Sequence, residues 1–177
     1  MKTKIFPGRD FAKTRLSLYA ILNIAMIGLL IINSVFTLKK GIGLYALLSV
    51  LILILVSCVL LLIEFIIYIP QTKANLKKIS AGAGMLLLLI LLTYANLYYL
   101  IYRLKGEKAF SFTGKNLSGD DFLYYSITSF TTTGYGDITS IGVFSNAIAA
   151  SEMLIGMVTN SILMAVITAK LFKKLQN

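Results

Sequence analysis

Long runs of apolar residues, broken by short polar stretches, dominate the pattern along this chain. Four such runs stand out, at about 16–38, 42–70, 81–103 and 142–169. Each exceeds the roughly 20 helical residues needed to cross a ~30 Å hydrocarbon core. Helices are required there, because backbone groups in lipid must be satisfied within the segment. The first two runs are joined by Lys39-Lys40-Gly41, a tight turn, and so predict a helical hairpin over 16–70. Run 16–38 is longer than a usual signal-peptide core and lacks a clear small-residue cleavage site, which predicts a retained helix behind a basic stretch, 1–15. Between the third and fourth runs the pattern changes. Residues 104–117 are polar and mixed in charge, with Gly106 and Gly114. Ser118-Gly119-Asp120-Asp121 then reads as a helix start, with Ser118 as N-cap and acidic residues in the first turn, and the short amphiphilic helix it opens runs to about Thr131.

Composition agrees with this pattern. With 58% hydrophobic and 14% charged residues, a chain of 177 residues predicts an all-α membrane protein, not a water-soluble domain. The net charge of +10 then becomes a matter of topology. With the N-terminus inside, the inner segments contain Lys2, Lys4, Arg9, Lys13, Arg15, Lys73, Lys77, Lys78, Lys170, Lys173 and Lys174, eleven in all, against six outside: Lys39, Lys40, Arg103, Lys105, Lys108 and Lys115. The positive-inside rule therefore puts both termini in the cytoplasm of a multi-pass protein, with the cell membrane as its expected location. Lys170, Lys173 and Lys174 are candidates for contact with anionic lipid. Nucleic acid is not expected as a partner, since no charged stripe interleaved with aromatics lies outside the lipid-flanking positions. Cys58 is the single cysteine and histidine is absent, which excludes intrachain disulfides, zinc sites and His-dependent nucleophilic catalysis. The seven acidic residues are scattered. No enzyme and no cofactor are expected.

The polar stretch after the amphiphilic helix is the most informative part of the chain. Ser129-Phe130-Thr131 leads into Thr132-Thr133-Gly134-Tyr135-Gly136-Asp137. This run resembles the signature of potassium channels, usually Thr-Val-Gly-Tyr-Gly-Asp, at every position except Thr133, where valine or isoleucine is usual. The resemblance covers about 81–172: outer helix 81–103, turret 104–117, pore helix 118–131, selectivity filter 132–137 and inner helix 142–172. It implies four membrane helices with a re-entrant pore helix and filter loop, and a homotetrameric pore in which the chain joins three identical subunits. In such a filter the backbone carbonyls of Thr132, Thr133, Gly134, Tyr135 and Gly136 replace the hydration shell of K⁺, the permeant ion. Glycine at 134 and 136 permits the left-handed angles that aim carbonyls inward, and Tyr135 braces the strand from behind. Thr133 leaves the carbonyl number unchanged but sets a hydroxyl against the pore helix. A weakly selective cation channel, a subunit of a K⁺ uptake transporter and a non-conducting accessory protein are the alternatives.

The same resemblance assigns supporting positions. Tyr124 and Tyr125 stand where relatives carry an aromatic cuff, with hydroxyls available to the filter strand. Thr128 occupies a position that is acidic in some relatives, so any link to Asp137 would be a neutral hydrogen bond. Asp137 and Thr139 fall at the outer mouth. Gly156 lies where a hinge glycine is common, although close packing explains a mid-helix glycine equally well. With the turn below it lining the cavity, the ~100° helical step puts Met153, Met157, Asn160, Ser161, Met164 and Thr168 on one face. Glu152 is roughly opposite and should meet the outer or pore helix. Tyr94, Tyr98 and Tyr102 share a face that can serve as an interfacial belt and also pack on the pore helix. Glu64, near the inner end of its helix, is expected to snorkel, with pairing to another charge as the alternative. The first two helices lack the regularly spaced arginines of a voltage sensor and are expected at the periphery.

Overall fold

A computed structural model describes residues 11–35, 41–68, 76–114 and 116–175. Its helices are α1 (Phe11–Val35), α2 (Ile42–Tyr68), α3 (Leu76–Lys105), α4 (Gly119–Phe130) and α5 (Val143–Leu175). A single turn of 3-10 helix, Gly106–Lys108, follows α3, and two short strands, β1 (Phe110–Phe112) and β2 (Ile138–Ser140), flank α4 in sequence. All helices except α4, which has only 12 residues, are long and apolar enough to cross a membrane. The expected turn at Lys39 and Lys40, the basic stretch 1–10 and Lys115 lie outside the described residues, as do the side chains of Lys170, Lys173 and Lys174.

The centre of the molecule is α3. Its most apolar window is 72% buried within the chain, against 28% for α1, 17% for α2 and 22% for α5. Burial from lipid yields no hydrophobic gain, so contact between these helices rests on close packing and on hydrogen bonds across them. The α1–α3 seam shows both. Asn23 Nδ2 donates to the Met85 carbonyl at 2.9 Å, Asn96 Nδ2 to the Met26 carbonyl at 3.1 Å, and Arg103 Nη1 to the Asn33 carbonyl at 3.0 Å. Gly82 of α3 faces the Phe65 ring of α2, and a Cβ there would stand 3.1 Å from it.

The first two helices therefore do not pack as a hairpin on itself. Both lie against α3, and Arg15 Nη1 and Nη2 join the start of α1 to the end of α2 by a two-pronged ion pair to Glu64 at 2.8 and 2.6 Å. Of the two expectations for Glu64, this is the pairing and not the lone snorkelling carboxylate. The guanidinium fork fits a carboxylate edge-on, and pairing in a membrane segment is preferred to leaving either charge alone. Nor is α1 wholly peripheral, because Leu30 packs on Gly119, the first residue of α4.

The strands were not expected from sequence. They pair antiparallel, Phe110 with Ser140, Ser111 with Thr139 and Phe112 with Ile138, so the segment read as a turret is held to the far side of the 131–137 loop. Phe110 and Ile138 are buried under this ribbon while Ser111 and Thr139 are outside. Three-residue strands are too short for period-two alternation to announce them.

Candidate ion-conduction site

α4 begins at a built cap. The Ser118 backbone N–H donates to Asp121 Oδ2 at 2.8 Å, and the Ser118 hydroxyl bonds Asp120 and Asp121. That hydroxyl, followed by the exposed backbone N–H groups of the first turn, holds the Asp120 carboxyl below its usual range. One face of α4 is locked to α3 by rings. Tyr125 meets Tyr98 edge-on with centroids 4.9 Å apart, while Phe122 contacts Tyr99, Tyr102 and Phe110.

The C-terminal end of α4 turns directly into the glycine-rich loop. The Thr128 carbonyl accepts two backbone N–H groups from that loop, Thr133 at 2.9 Å and Gly134 at 3.3 Å. In a trans peptide the C=O points opposite to the N–H. The carbonyls of Thr132 and Thr133 are thereby directed away from α4, onto the exposed side of the strand. The backbone angles extend this pattern. φ is positive at Thr132 (+58°), Gly134 (+53°) and Gly136 (+82°) and not at Thr133 or Tyr135. Alternation in the sign of φ suits a strand whose carbonyls gather on one edge and whose N–H groups gather on the other. A β-branched residue in the left-handed region is strained, and Thr132 is the one non-glycine residue described there. Its hydroxyl donates to the Thr131 carbonyl at 2.7 Å.

Other side chains fix the strand. The Thr131 hydroxyl donates to the Ile127 carbonyl at 2.8 Å, so the 2.9 Å contact between the Thr131 and Thr133 hydroxyls takes its hydrogen from Thr133. The Tyr135 ring lies parallel to Tyr124, 6.3 Å away at 8°. Asp137 Oδ1 accepts its neighbour's amide, Ile138 N–H, and the Asp137 carbonyl accepts Thr113 N–H at 3.2 Å, tying the loop exit to the turret. Thr139 is exposed on β2, with its hydroxyl 3.4 Å from the Ser111 carbonyl.

α5 passes behind this loop with two distinct faces. Ala149, Glu152, Gly156, Thr159 and Leu163 are buried against the rest of the chain, at alternating steps of three and four. Gly156 touches the carbonyl of Phe130, where a Cβ would lie 2.1 Å from the oxygen. Met153, Met157, Asn160, Ser161, Met164 and Thr168 are exposed together on the opposite side. Glu152 is fully buried, with Oε2 accepting the Tyr98 hydroxyl at 2.6 Å and Oε1 2.5 Å from Ser126 Oγ.

Several supporting positions differ from the sequence reading. Tyr124 and Tyr125 do not act as a pair. Consecutive helical residues diverge by ~100°, so Tyr124 meets Tyr135 and Tyr125 turns into the α3 aromatic cluster. The Thr128 hydroxyl does not reach Asp137 either; it donates to the Tyr125 carbonyl at 3.0 Å, and its residue supports the loop through the backbone alone. Ser126, the brace from Thr131 and the left-handed conformation of Thr132 were not foreseen. A threonine run in a polar stretch contains no signal of handedness.

A short helix that hands a strand of outward-turned carbonyls to solvent, between two long apolar helices, is the arrangement of a pore-loop membrane protein. A family model described as an ion channel matches residues 85–173, and the chain belongs to that family of pore-loop ion channels. No curated protein and no solved structure matches it. The matched span begins within α3 and ends in α5, so α1 and α2 both lie outside it.

Proposed function

We propose that the chain is one subunit of a homotetrameric, potassium-selective channel that conducts K⁺ passively across a cell membrane, with both termini cytoplasmic. The observation that carries this reading is the alternation of φ from Thr132 to Gly136, with the N–H side of the strand anchored on Thr128. Such a strand presents carbonyl dipoles at the spacing of successive residues, which suits a dehydrated monovalent cation. One chain supplies one wall of a pore, so four are needed to surround an ion. The exposed α5 face from Met153 to Thr168 then lines the cavity, and Asp137 rings the outer mouth. The hydrogen bond from Thr133 to Thr131 supports potassium selectivity over a weakly selective filter, because it braces the position where this loop departs from the usual sequence.

The test is ion flux through the purified protein in liposomes, followed by bi-ionic reversal potentials. K⁺ flux with a reversal potential strongly favouring K⁺ over Na⁺ is expected. Equal permeability would replace the reading with a non-selective pore, and no flux with a monomeric protein would remove it.

A further inference from the structure

Counting hydrogens at Glu152 leads to a device beyond conduction itself. Three oxygen–oxygen contacts form a chain across three helices: Tyr98 hydroxyl to Glu152 Oε2 at 2.6 Å, Glu152 Oε1 to Ser126 Oγ at 2.5 Å, and Ser126 Oγ to the Leu91 carbonyl at 3.0 Å. Each is within hydrogen-bonding range, and each needs one hydrogen. With an ionised carboxylate only two hydrogens are present, one on each hydroxyl, so Ser126 must choose between Glu152 and Leu91. With a carboxylic acid there are three. Tyr98 donates to Oε2, Oε1–H donates to Ser126, and Ser126 donates to Leu91, so every contact is satisfied at once.

The surroundings agree with that arrangement. The groups of α3 and α4 that face the carboxyl are hydroxyls and phenols: Tyr94, Tyr98 and Ser126. On α5 itself, Ser151 donates to the Ile148 carbonyl and so accepts from Tyr94. No basic side chain among the described residues pairs with Glu152, which is 0% exposed and lies in a membrane-spanning helix. An unpaired carboxylate there would be costly.

We propose that Glu152 holds a proton at neutral pH and acts as a positioning residue, latching α5 to the pore helix and the pore helix to α3, and that its ionisation in alkaline solution releases the latch and reduces conduction. Ionisation recruits the Ser126 hydrogen to the carboxylate, which frees α4 from the Leu91 carbonyl. The effect is delivered close to the ion path. Ser126 is four residues before Phe130, whose carbonyl touches Gly156 one turn below Glu152, and two before Thr128, which anchors the loop.

This inference rests on the channel reading, and infrared spectroscopy of the reconstituted native protein separates the two. A carboxylic C=O stretch is expected at neutral pH, and it should vanish on alkaline titration together with K⁺ flux, about half of the flux being lost where half the carboxyls have ionised. Glu152→Gln keeps an acceptor for Tyr98 and a donor for Ser126 but cannot ionise; it should lack the band, conduct at neutral pH and show no alkaline decline. Ser126→Ala keeps the acid but removes its acceptor, and should move the band to higher frequency. The proposal is overturned by a native protein with no carboxylic band at neutral pH, by a band that survives in Glu152→Gln, or by an alkaline decline in flux equal in variant and native. A band without any native flux would sink the channel reading and leave the protonated latch standing.

Discussion

Single residues decide the loop, and a few atoms carry each decision. Gly134 holds φ at +53°, and Gly136 holds +82°, where a Cβ opposes the backbone. Gly134→Ala should therefore abolish K⁺-selective current even though nothing lies within 4 Å of the added carbon. Reversal potentials unchanged by that substitution would remove the loop from the ion path. Gly156 presents the opposite case, ordinary in its helical angles but closed in by neighbours. A Cβ 2.1 Å from the Phe130 carbonyl oxygen forces α5 away from α4. Gly156→Ala should lower stability by about 1–3 kcal/mol through overpacking, read from thermal unfolding in detergent. A gain in stability would show that flexibility, not contact, is the reason for glycine here.

At the scale of elements, α4 depends on its two ends. The N-terminal cap joins Ser118 to Asp120 and Asp121, and Ser118→Ala should cost about 1 kcal/mol of stability. The Asp120 carboxyl is held down by the Ser118 hydroxyl, so its contribution is present above the ordinary carboxylate range and is lost as pH falls through the lowered value. Acid titration of unfolding should accordingly be less steep in the Ala variant than in the native chain. The start of α1 and the end of α2 depend on Arg15 and Glu64. A double-mutant cycle with Arg15→Gln and Glu64→Gln should return a coupling of about 1 kcal/mol, the upper range for a partly exposed pair. Additive losses would mean that the two helices are held by α3 alone.

For the whole molecule, the arrangement of faces matters more than any one contact. α3 is surrounded, whereas α2 and one side of α5 expose rows of aliphatic and methionine side chains. In the proposed tetramer the α5 row turns to the ion path, and Asn160 lies within it. Asparagine offers polarity without charge, so conduction through the native cavity should be nearly symmetric. Asn160→Asp adds four carboxylates to a confined space and should produce marked inward rectification with internal spermine, because a polyvalent cation is drawn in and blocks outward current. Current–voltage curves from excised patches would settle it, and an aspartate without effect would place Asn160 away from the pore.

The sequence by itself determined what local rules govern. Lengths of apolar runs set the four membrane helices, since lipid demands internal backbone hydrogen bonds. Ser118 and the acidic pair after it marked the start of α4, and helical spacing sorted α5 into the face of Glu152 and the face of Met153 to Thr168. What the tertiary structure decided concerns residues distant in the chain. That Glu64 finds Arg15, that Tyr124 and Tyr125 part company, that Ser111 pairs with Thr139, and that Ser126 stands between Glu152 and Leu91 are facts of packing between elements. Periodicity tells which face of a helix is buried but not what buries it, and hydrogen-bond partners across helices follow from orientations that only the assembled fold fixes.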